Sequence, residues 1–450
     1  MNRRDFIKTG AGAFFIASAD RLFGAAAPSN RVRFAIVGCH EKGRGFQVMK
    51  KALETPGVEI ACVCDVDSRA MDFAAGWLVK NGHPAPAKEK DFRKVLARAD
   101  VDGVISETPD HFHAYSAVMA MRAGKHVYVE KPCAFCPQEC ETIVATWKKT
   151  GKVFQMGSQR RSAATFVDAI RAIREEDLIG TPKWGKTWYM TRRKPIGNGR
   201  KVAVPDWLDW DLWQACAPRE DYRDNLLHYN WHWFRAWGTG ECGNNSVHFV
   251  DIARWCLDER TFPTEVSSAG GKFWIPEGDD WAWPDSQNVT WKYGDGKFIT
   301  WEGLSCENTK PFMNVSTGAM VYGEKAAAFF SPAGEVEIFG PKGKTIRRWE
   351  RDGKVTGPKL TNTDNRSGGG WNDSTPQHFA NFVDAIRAND PLRAASNAEV
   401  GTKSTYLALA ANVAHFAGGS MKVDPQTGRP VGNAAAEKLW SREYAKGWEI

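Results

Sequence analysis

The 450-residue sequence lacks internal repeats, low-complexity blocks and any apolar run long enough to form a stable transmembrane helix. Its 42% hydrophobic and 25% charged residues exclude a disordered or fibrous chain and indicate a globular protein of two or three domains. The charges are not segregated, because the basic residues behind the net charge of +7 are interleaved with acids. We therefore expect no nucleic-acid partner and no membrane-embedded part in the mature protein.

The ten cysteines follow no regular disulfide or zinc-ligand spacing. Cys133, Cys136 and Cys140 lie close together, but no histidine cluster at zinc-binding distance follows them. Because Cys136 and Cys140 would share one helical face, we expect burial as small hydrophobic residues. His228 and His232 have a spacing that suits a metal on a helix, but the surrounding aromatic residues favour packing or a sugar platform. We predict no metal site.

The N-terminus has the features of an export signal. Paired arginines, Arg3 and Arg4, precede a weakly apolar, glycine- and alanine-rich run over residues 9–19, and small residues follow at 24–27. This pattern is typical of a twin-arginine signal with a small-residue cleavage site, although an amphipathic first helix would have a similar composition. We therefore predict that residues 1–27 direct export to the periplasm by the twin-arginine route.

Strands and helices are predicted to alternate over residues 28–156. Apolar, β-branched runs predict strands at 31–37, 58–65, 101–106, 126–129 and 152–156, and helical patterns occupy 46–53, 69–80 and 114–123. This alternation predicts an α/β domain of the Rossmann type, with a doubly wound parallel sheet. In such sheets, ligands bind beyond the carboxyl ends of the strands.

The first strand runs into a glycine-rich loop that is typical of nucleotide binding. Gly38, Gly43 and Gly45 lie in this loop, but His40 stands where the usual pattern has glycine. A plain strand-to-helix turn would explain the loop alone. Asp65, however, ends the second strand about 20 residues further on, where an acid can accept the ribose hydroxyls and repel a 2′-phosphate. We therefore predict NAD as the cofactor, in preference to NADP.

Residues 157–450 predict a second domain of the α+β type. Its predicted strands occupy 183–190, 265–274, 287–293, 297–303 and 326–330, and its helices 165–176, 376–388 and 398–416. The turn sequence at 293–296 (YGDG) favours an antiparallel hairpin. We expect a mixed or antiparallel sheet, and a polar, glycine-rich loop at 362–373.

The stretch from 108 to 132 (TPDHFHAYSAVMAMRAGKHVYVEKP) carries the strongest functional signal. Asp110 can cap a helix that ends at Gly124. The following strand ends at Lys131, because a residue before proline is held in an extended conformation. A lysine at the carboxyl end of a parallel strand faces the ligand crevice. Lys131 is therefore the leading candidate for the chemistry.

Together these motifs resemble the Gfo/Idh/MocA oxidoreductases, the group of glucose–fructose oxidoreductase and inositol dehydrogenase. The matching pieces are the first strand with its glycine loop, 108–111 (TPDH), 123–127 (AGKHV) leading to 130–132 (EKP), 157–162 (GSQRRS), 208–213 (LDWDLW), and His378 with 381–386 (NFVDAI). The resemblance implies a Rossmann domain followed by a sheet domain that covers the nicotinamide end of NAD. It also implies hydride transfer between the nicotinamide and a carbon that bears a sugar or polyol hydroxyl, and a homo-oligomer.

The resemblance extends to the site residues. Lys131 matches the motif lysine beside the reacting carbon, and 240–248 (GECGNNSVH) is similar to a second catalytic segment in which a histidine follows an aspartate by four positions. His248 fits this segment, whereas Asn244 replaces the aspartate. Asp251, one helical turn beyond His248, is therefore predicted to orient the imidazole. We predict His248 as the base and Lys131 as hydrogen-bond donor and proton relay, since the ordinary pKa of histidine lies near working pH.

The predicted cofactor-binding residues are Gly38, His40, Gly43, Arg44, Gly45, Asp65, Thr108, Pro109, His111, His113, Glu130 and Lys131. The predicted substrate-binding residues are Arg161, Trp231, Trp237 and Asn244. For the two histidines near the third strand a structural role is also open, as is core packing for each tryptophan. Two other functions also remain open. One is an NAD-dependent glycoside hydrolase or lyase that works by transient oxidation and elimination, and the other is a sugar-binding protein without catalysis.

Overall fold

A computed structural model of the chain describes residues 30–351, 354–356 and 373–450. The predicted export signal at 1–27 and nearly all of the predicted loop at 362–373 lie outside the described residues. Among the helices described, none combines the length and the apolar character needed to cross a membrane.

The first half of the chain forms a parallel sheet with helices packed on its faces. The strands are β1 (Val32–Val37), β2 (Val58–Cys64), β3 (Ala87–Glu89), β4 (Gly103–Ser106), β5 (His126–Val129) and β6 (Phe154–Met156). The helices are α1 (Arg44–Ala52), α2 (Ser68–Lys80), α3 (Phe92–Leu96), α4 (Asp110–Arg122) and α5 (Pro137–Thr150). The strand order is β3-β2-β1-β4-β5-β6, so the direction of winding reverses between β1 and β4. The predicted Rossmann sheet is confirmed, and this reversal is where such sheets bind ligands.

Several elements of this sheet domain differ from the prediction, which contained neither β3 nor α3. Asp110 does not cap α4, because Pro109 is the N-cap residue and the Asp110 carboxylate instead accepts hydrogen bonds from the amide and hydroxyl of Thr239, at 3.0 and 2.6 Å. Helix α5 was not predicted, although Pro137 at its start and Gly151 after its end, with φ +62°, are typical helix boundaries.

The second half forms a larger sheet. Its strands are β7 (Pro182–Met190), β8 (Glu265–Gly271), β9 (Ser286–Lys292), β10 (Phe298–Leu304), β11 (Thr317–Gly323), β12 (Ala327–Phe330), β13 (Val336–Phe339), β14 (Thr345–Trp349), β15 (Val355–Thr356), β16 (Ser420–Val423) and β17 (Pro430–Val431). The order in the described residues is β15-β14-β13-β12-β11-β7-β10-β9-β8-β16-β17. Neighbours run antiparallel except for β7 and β10. The predicted mixed, mainly antiparallel sheet is therefore confirmed, with further strands that the sequence had not indicated.

One face of the second sheet is covered by helices. The helices of this half are α6 (Ala164–Glu175), α7 (Trp210–Gln214), α8 (Val247–Cys256), α9 (Thr375–Arg387), α10 (Ala398–Phe416) and α11 (Ala434–Lys438). Residues of β9 and β10 alternate between buried and partly exposed, as expected for a half-covered sheet. The buried Trp291 of β9 donates from Nε1 to the carbonyl of Leu407 in α10 at 2.9 Å. Helix α8, which carries His248, packs against β7 and β11 of this sheet and against α10.

The C-terminal helices return to the first sheet. In α9, Phe379 and Phe382 pack against Phe34 of β1, with ring centroids 5.3 and 5.7 Å apart. All three side chains are fully buried. The segment assigned to the second domain from residue 157 onwards therefore completes a face of the first.

All ten cysteines are free thiols, and nine of them are buried. Cys133, Cys136 and Cys140 are among the buried ones, as predicted from their spacing. Burial raises the pKa of each of these three thiols, so they remain protonated and unreactive at neutral pH.

A buried ion pair fixes the last residues to the first sheet domain. Arg442 approaches Glu139 of α5 at 2.7 Å, and both side chains are at least nine-tenths buried. Arg442 also donates to the carbonyl of His111, and the Tyr444 hydroxyl donates to Glu139, each at 2.7 Å.

We expect Arg442→Met to lower the free energy of unfolding by about 3–5 kcal/mol, because Glu139 would remain buried without its partner. The midpoint of thermal unfolding measures this effect. Lys148→Met, which breaks the exposed pair with Glu399, is the matched control and should cost at most about 1 kcal/mol. Equal shifts for the two variants would contradict the assignment.

Candidate active site

A cavity of about 1090 Å³ lies at the carboxyl ends of the first sheet's strands, between the two halves. Its walls include the glycine loop, the ends of β2, β4 and β5, the segment 208–232, and the start of α8. Of the predicted site residues, those that line this cavity are Gly38, His40, Gly43, Arg44, Gly45, Asp65, Thr108, Pro109, His113, Glu130, Lys131, Trp231, Asn244 and His248. The structure thus brings most of the predicted site together.

The glycine loop has the shape that a pyrophosphate requires. A Cβ atom at Gly45 would lie 1.8 Å from the carbonyl oxygen of Gly38, so the turn admits no side chain there. Gly43 is the N-cap of α1 and gives the first amides of the helix no side-chain partner. The unpaired amides and the helix dipole suit a phosphate. His40 does not fill this space, because its ring stacks on His228 at 4.3 Å.

Asp65 lies at the end of β2, where a ribose would bind. One carboxylate oxygen accepts a hydrogen bond from the backbone amide of Cys39 at 2.7 Å. The other accepts a hydrogen bond from the backbone amide of Asp67 at 3.0 Å. Each oxygen keeps a further lone pair for a hydroxyl group. Burial raises the pKa of this carboxyl, and the two amides partly offset the increase. The glycine loop and Asp65 together fit a dinucleotide.

His228 approaches Asp67 and His40 rather than the histidine four residues later. The nitrogen and oxygen atoms with which these three side chains could bind a metal ion lie within 4.8 Å of one another. However, Arg69 already donates to both oxygens of Asp67, at 3.1 and 2.9 Å. Because the carboxylate is neutralised and the two rings stack face to face, we interpret the cluster as a wall of the cavity.

Lys131 reaches from the end of β5 to the second half of the chain. Its Nζ donates to the backbone carbonyl of Asn244 at 2.7 Å and to the side-chain Oδ1 at 2.9 Å. Asn244 lies in a π-helical turn, Cys242–Ser246, directly before α8, and such turns often occur at functional sites. Two of the three ammonium hydrogens are used, so one remains for a ligand.

Glu130 supports this lysine from the neighbouring position. Its carboxylate accepts the Lys131 amide at 2.7 Å, Nε of Arg44 at 3.3 Å and Nε2 of Gln159 at 3.1 Å. Burial opposes its ionisation, but Arg44 and Lys131 outweigh burial and hold the pKa of Glu130 below its ordinary value. The carboxylate therefore stays ionised beside the lysine.

His248 lines the same cavity from the first turn of α8. Burial first, and then the positive charge of Lys131, hold its pKa well below the ordinary value of 6.5. The imidazole is therefore neutral at physiological pH, and it is a weaker base than the ordinary pKa used in the sequence analysis implies.

The predicted role of Asp251 needs correction. Arg161 donates to both of its oxygens, at 2.8–3.0 Å, and Ser404 and Arg254 approach the same carboxylate. Both members of the Asp251–Arg161 pair are buried. We therefore assign Asp251 to this ion pair instead of to orienting His248, and Arg161, which is outside the cavity lining described, loses its predicted contact with substrate.

Two further predicted residues belong to the core. Trp237 is fully buried among Trp210, Trp213 and Phe234. His111 is also fully buried, and its Nε2 lies 3.0 Å from the carbonyl of Trp213. Burial lowers the pKa of His111 to about 3. Neither side chain lines the described cavity, so their predicted contacts with substrate and cofactor are replaced by packing.

His232 was not among the predicted site residues, but it lines the cavity. Its Nδ1 lies 2.7 Å from the carbonyl of Tyr229, and its ring stacks on Trp231 at 3.6 Å. A carbonyl can only accept, so Nδ1 carries the proton and Nε2 carries the lone pair. Burial lowers the pKa of His232 to about 3, with smaller effects of Lys131 and Arg193. The sequence signals for this position were the four-residue spacing from His228 and the clustered aromatic residues.

Comparison with known proteins agrees with this geometry. Two family models match the chain. The model of the oxidoreductase family's NAD-binding Rossmann fold matches residues 32–158. The model of the C-terminal alpha/beta domain of this family matches residues 178–329. The chain belongs to the Gfo/Idh/MocA oxidoreductase family. The cavity described above lies at the carboxyl ends of the strands of this NAD-binding Rossmann domain.

Part of the chain is similar to a curated glycosyl hydrolase. A glycosyl hydrolase family 109 protein of Shewanella baltica is 36% identical over 125 residues, which cover 27% of this chain and 27% of that protein. The chain thus matches about a quarter of the length of this curated relative.

Two solved structures are similar over most of the chain. The aldose-aldose oxidoreductase of Caulobacter crescentus, complexed with glycerol, has a TM-score of 0.62 at 17% identity and covers 87% of this chain and 100% of its own. A levoglucosan dehydrogenase complexed with NADH and levoglucosan has a TM-score of 0.60 at 18% identity, covering 84% of this chain and 95% of its own. At these identities the likeness shows a shared fold.

We expect Gly45→Ala to weaken NADH binding at least about tenfold, a loss of roughly 1.4 kcal/mol, because the new methyl group would push the loop away from Gly38. Fluorescence titration with NADH measures the change. Gly76→Ala in α2 is the matched control, since a Cβ there meets no atom within 4 Å. Unchanged NADH affinity in the Gly45 variant would contradict the assignment of the glycine loop as the pyrophosphate-binding site.

Proposed function

We propose that the protein is an NAD-dependent oxidoreductase acting on a sugar or sugar derivative, with hydride passing between the nicotinamide and a hydroxyl-bearing carbon. The observation that carries this proposal is the position of the Lys131 ammonium. Asn244 holds it in the same cavity as the glycine loop and Asp65. The sugar-acting, NADH-binding proteins of similar fold support the proposed substrate class.

Lys131 and His248 can bind the reacting hydroxyl and accept its proton. Bound NAD would supply the hydride acceptor. The remaining hydrogen on Nζ of Lys131 donates to the substrate oxygen, and the neutral imidazole of His248 accepts the hydroxyl proton. Asn244 holds the Lys131 ammonium in place. An aspartate at this position would add a negative charge beside the lysine, whereas the asparagine does not. The site therefore separates positioning by Asn244 from proton acceptance by His248.

His232 and Trp231 give this site a surface suited to a sugar. The Nε2 lone pair of His232 can accept a hydrogen bond from a second hydroxyl group of the substrate. The indole of Trp231 presents an apolar face, on which the C–H groups of a sugar ring can pack. His232 thus joins the predicted Trp231 and Asn244, whereas the predicted Trp237 and Arg161 do not line the cavity.

The proposal includes NAD as the preferred nucleotide, because the carboxylate of Asp65 would repel a 2′-phosphate. It also places the enzyme in the periplasm, on the basis of the twin-arginine pattern in residues 1–27, and in a homo-oligomer, on the basis of the family resemblance.

A second candidate function is glycoside hydrolysis through transient oxidation. It is favoured by the 36% identity to a glycosyl hydrolase family 109 protein over part of the chain. Oxidising a ring hydroxyl acidifies the neighbouring C–H, which permits elimination of the glycosidic group before the hydride returns. The same lysine and histidine would serve both reactions, so only the net products distinguish them.

The decisive measurement is to denature the purified protein, assay the released NAD(H), and then supply free sugars and chromogenic glycosides to the intact protein. We expect bound nucleotide, and net reduction of NAD or of an added oxidant with one of the free sugars. Release of aglycone with substoichiometric NAD and no net NADH would identify the hydrolase instead. Absence of both nucleotide and turnover would leave a sugar-binding protein.

We expect Lys131→Met to lower kcat on the accepted substrate roughly 10²–10³-fold, the usual effect of removing one preorganised donor at a reacting oxygen. The same variant should raise the pKa of His248, because a nearby positive charge that opposes protonation is lost. NMR titration of the histidine C–H signals measures the shift.

Lys125→Met is the control for this prediction, since Lys125 Nζ donates to the carbonyls of Arg98 and Val101 at the amino ends of β4 and β5, away from the cavity. That variant should leave both the activity and the His248 titration unchanged. Full activity in Lys131→Met, or in a His248→Ala variant, would refute the assigned site.

A further inference from the structure

Glu107 is a buried acid for which the proposed reaction has no role. It directly follows β4, as Glu130 directly follows β5. The two strands are parallel neighbours, with Ser106 paired to Val129, so the two acids occupy adjacent positions about 4.8 Å apart along the sheet. Both line the nucleotide cavity.

The two carboxyl groups have opposite surroundings. Glu130 accepts hydrogen bonds from Arg44, Gln159 and the Lys131 amide, as described above. Both side-chain oxygens of Glu107 are buried and find no hydrogen-bond partner among the described residues. An ionised carboxylate in that position would be uncompensated, whereas a protonated one is neutral.

The charges around Glu107 come from two elements. Arg44 faces it from the start of α1, and Glu130, Lys131 and the buried Tyr128 face it from β5 and its end. Burial and the charge of Glu130 raise the pKa of Glu107 well above its ordinary value, and the two cations only partly oppose them. Two neighbouring carboxyl groups of this kind keep one proton between them. The hydrogen bonds of Glu130 assign that proton to Glu107.

Glu107 also packs directly against the glycine loop. A Cβ atom at Gly38 would lie 2.5 Å from the carbonyl oxygen of Glu107, and one at Gly45 would lie 3.0 Å from its Cβ. These distances place the backbone and Cβ of Glu107 directly against the two glycines. A negative charge on Glu107 would therefore lie beside the position that suits the phosphates of a dinucleotide.

We propose that Glu107 is a proton-holding residue of the cofactor site, and that the dinucleotide binds to the form of the protein in which Glu107 is neutral. This inference rests on the proposed use of NAD. Phosphate binding adds negative charge next to the acid and so strengthens its hold on the proton. Nucleotide affinity consequently falls as rising pH removes that proton from the free protein.

Titration of the full-length protein with NADH between about pH 5 and pH 10, followed by fluorescence, tests the proposal. We expect the Kd of the wild type to rise about tenfold with pH, the effect of two like charges roughly 10 Å apart at an effective dielectric constant of about 20. Glu107→Gln, which has the same shape and is always neutral, should keep the low-pH affinity throughout. Glu41→Gln, an exposed acid in the same loop, should behave like the wild type.

A calorimetric measurement keeps the test independent of how well the variant folds. Repeating the NADH titration of the wild type in buffers of different ionisation enthalpy should show proton uptake on binding at high pH. Parallel pH profiles for the wild type and Glu107→Gln, or binding without proton uptake at any pH, would overturn the proposal. Loss of sugar turnover alone would leave it standing, whereas failure of the wild type to bind NADH at any pH would refute the cofactor and this inference together.

Discussion

The two hydrogen bonds from Nζ of Lys131 to Asn244 are the contact on which the site depends. The lysine ends a strand of the first sheet, and the asparagine precedes the helix that lies under the second sheet. Because a residue before proline has an extended backbone, the lysine leaves its strand in a fixed direction, and Asn244 then fixes its ammonium. The glycine loop, His248 and His232 all line the same cavity as this contact.

The parts of the site that the sequence predicted are those determined by local pattern. A glycine loop after a strand, an acid at the end of the next strand and a lysine before proline all depend on neighbours within a few residues. Asp251 was misassigned because helical spacing identifies the residues one turn apart, but not which side chain arrives from elsewhere. Its actual partner, Arg161, lies 90 residues earlier in the chain.

The electrostatics of the cavity could not be predicted for a similar reason. Glu107 and Glu130 are distant in sequence and become neighbours only because β4 and β5 pair in parallel. His232 likewise becomes recognisable as an acceptor only once the carbonyl that takes its Nδ1 proton is known. In each case the chemistry of the side chain is set by contacts between residues distant in sequence, which no periodicity encodes, although the fold that creates these contacts was predicted correctly.

The return of α9 to the first sheet has a consequence for the way this protein is made. Phe34, in the first strand of that sheet, packs against aromatic side chains that come more than 340 residues later. The early strands and helices can form on the ribosome, but the part of the sheet face that α9 covers stays exposed until most of the chain has been synthesised. We therefore expect that a fragment ending after β6 would expose an apolar surface and aggregate, so the nucleotide-binding half is not a unit that can be transplanted into another protein.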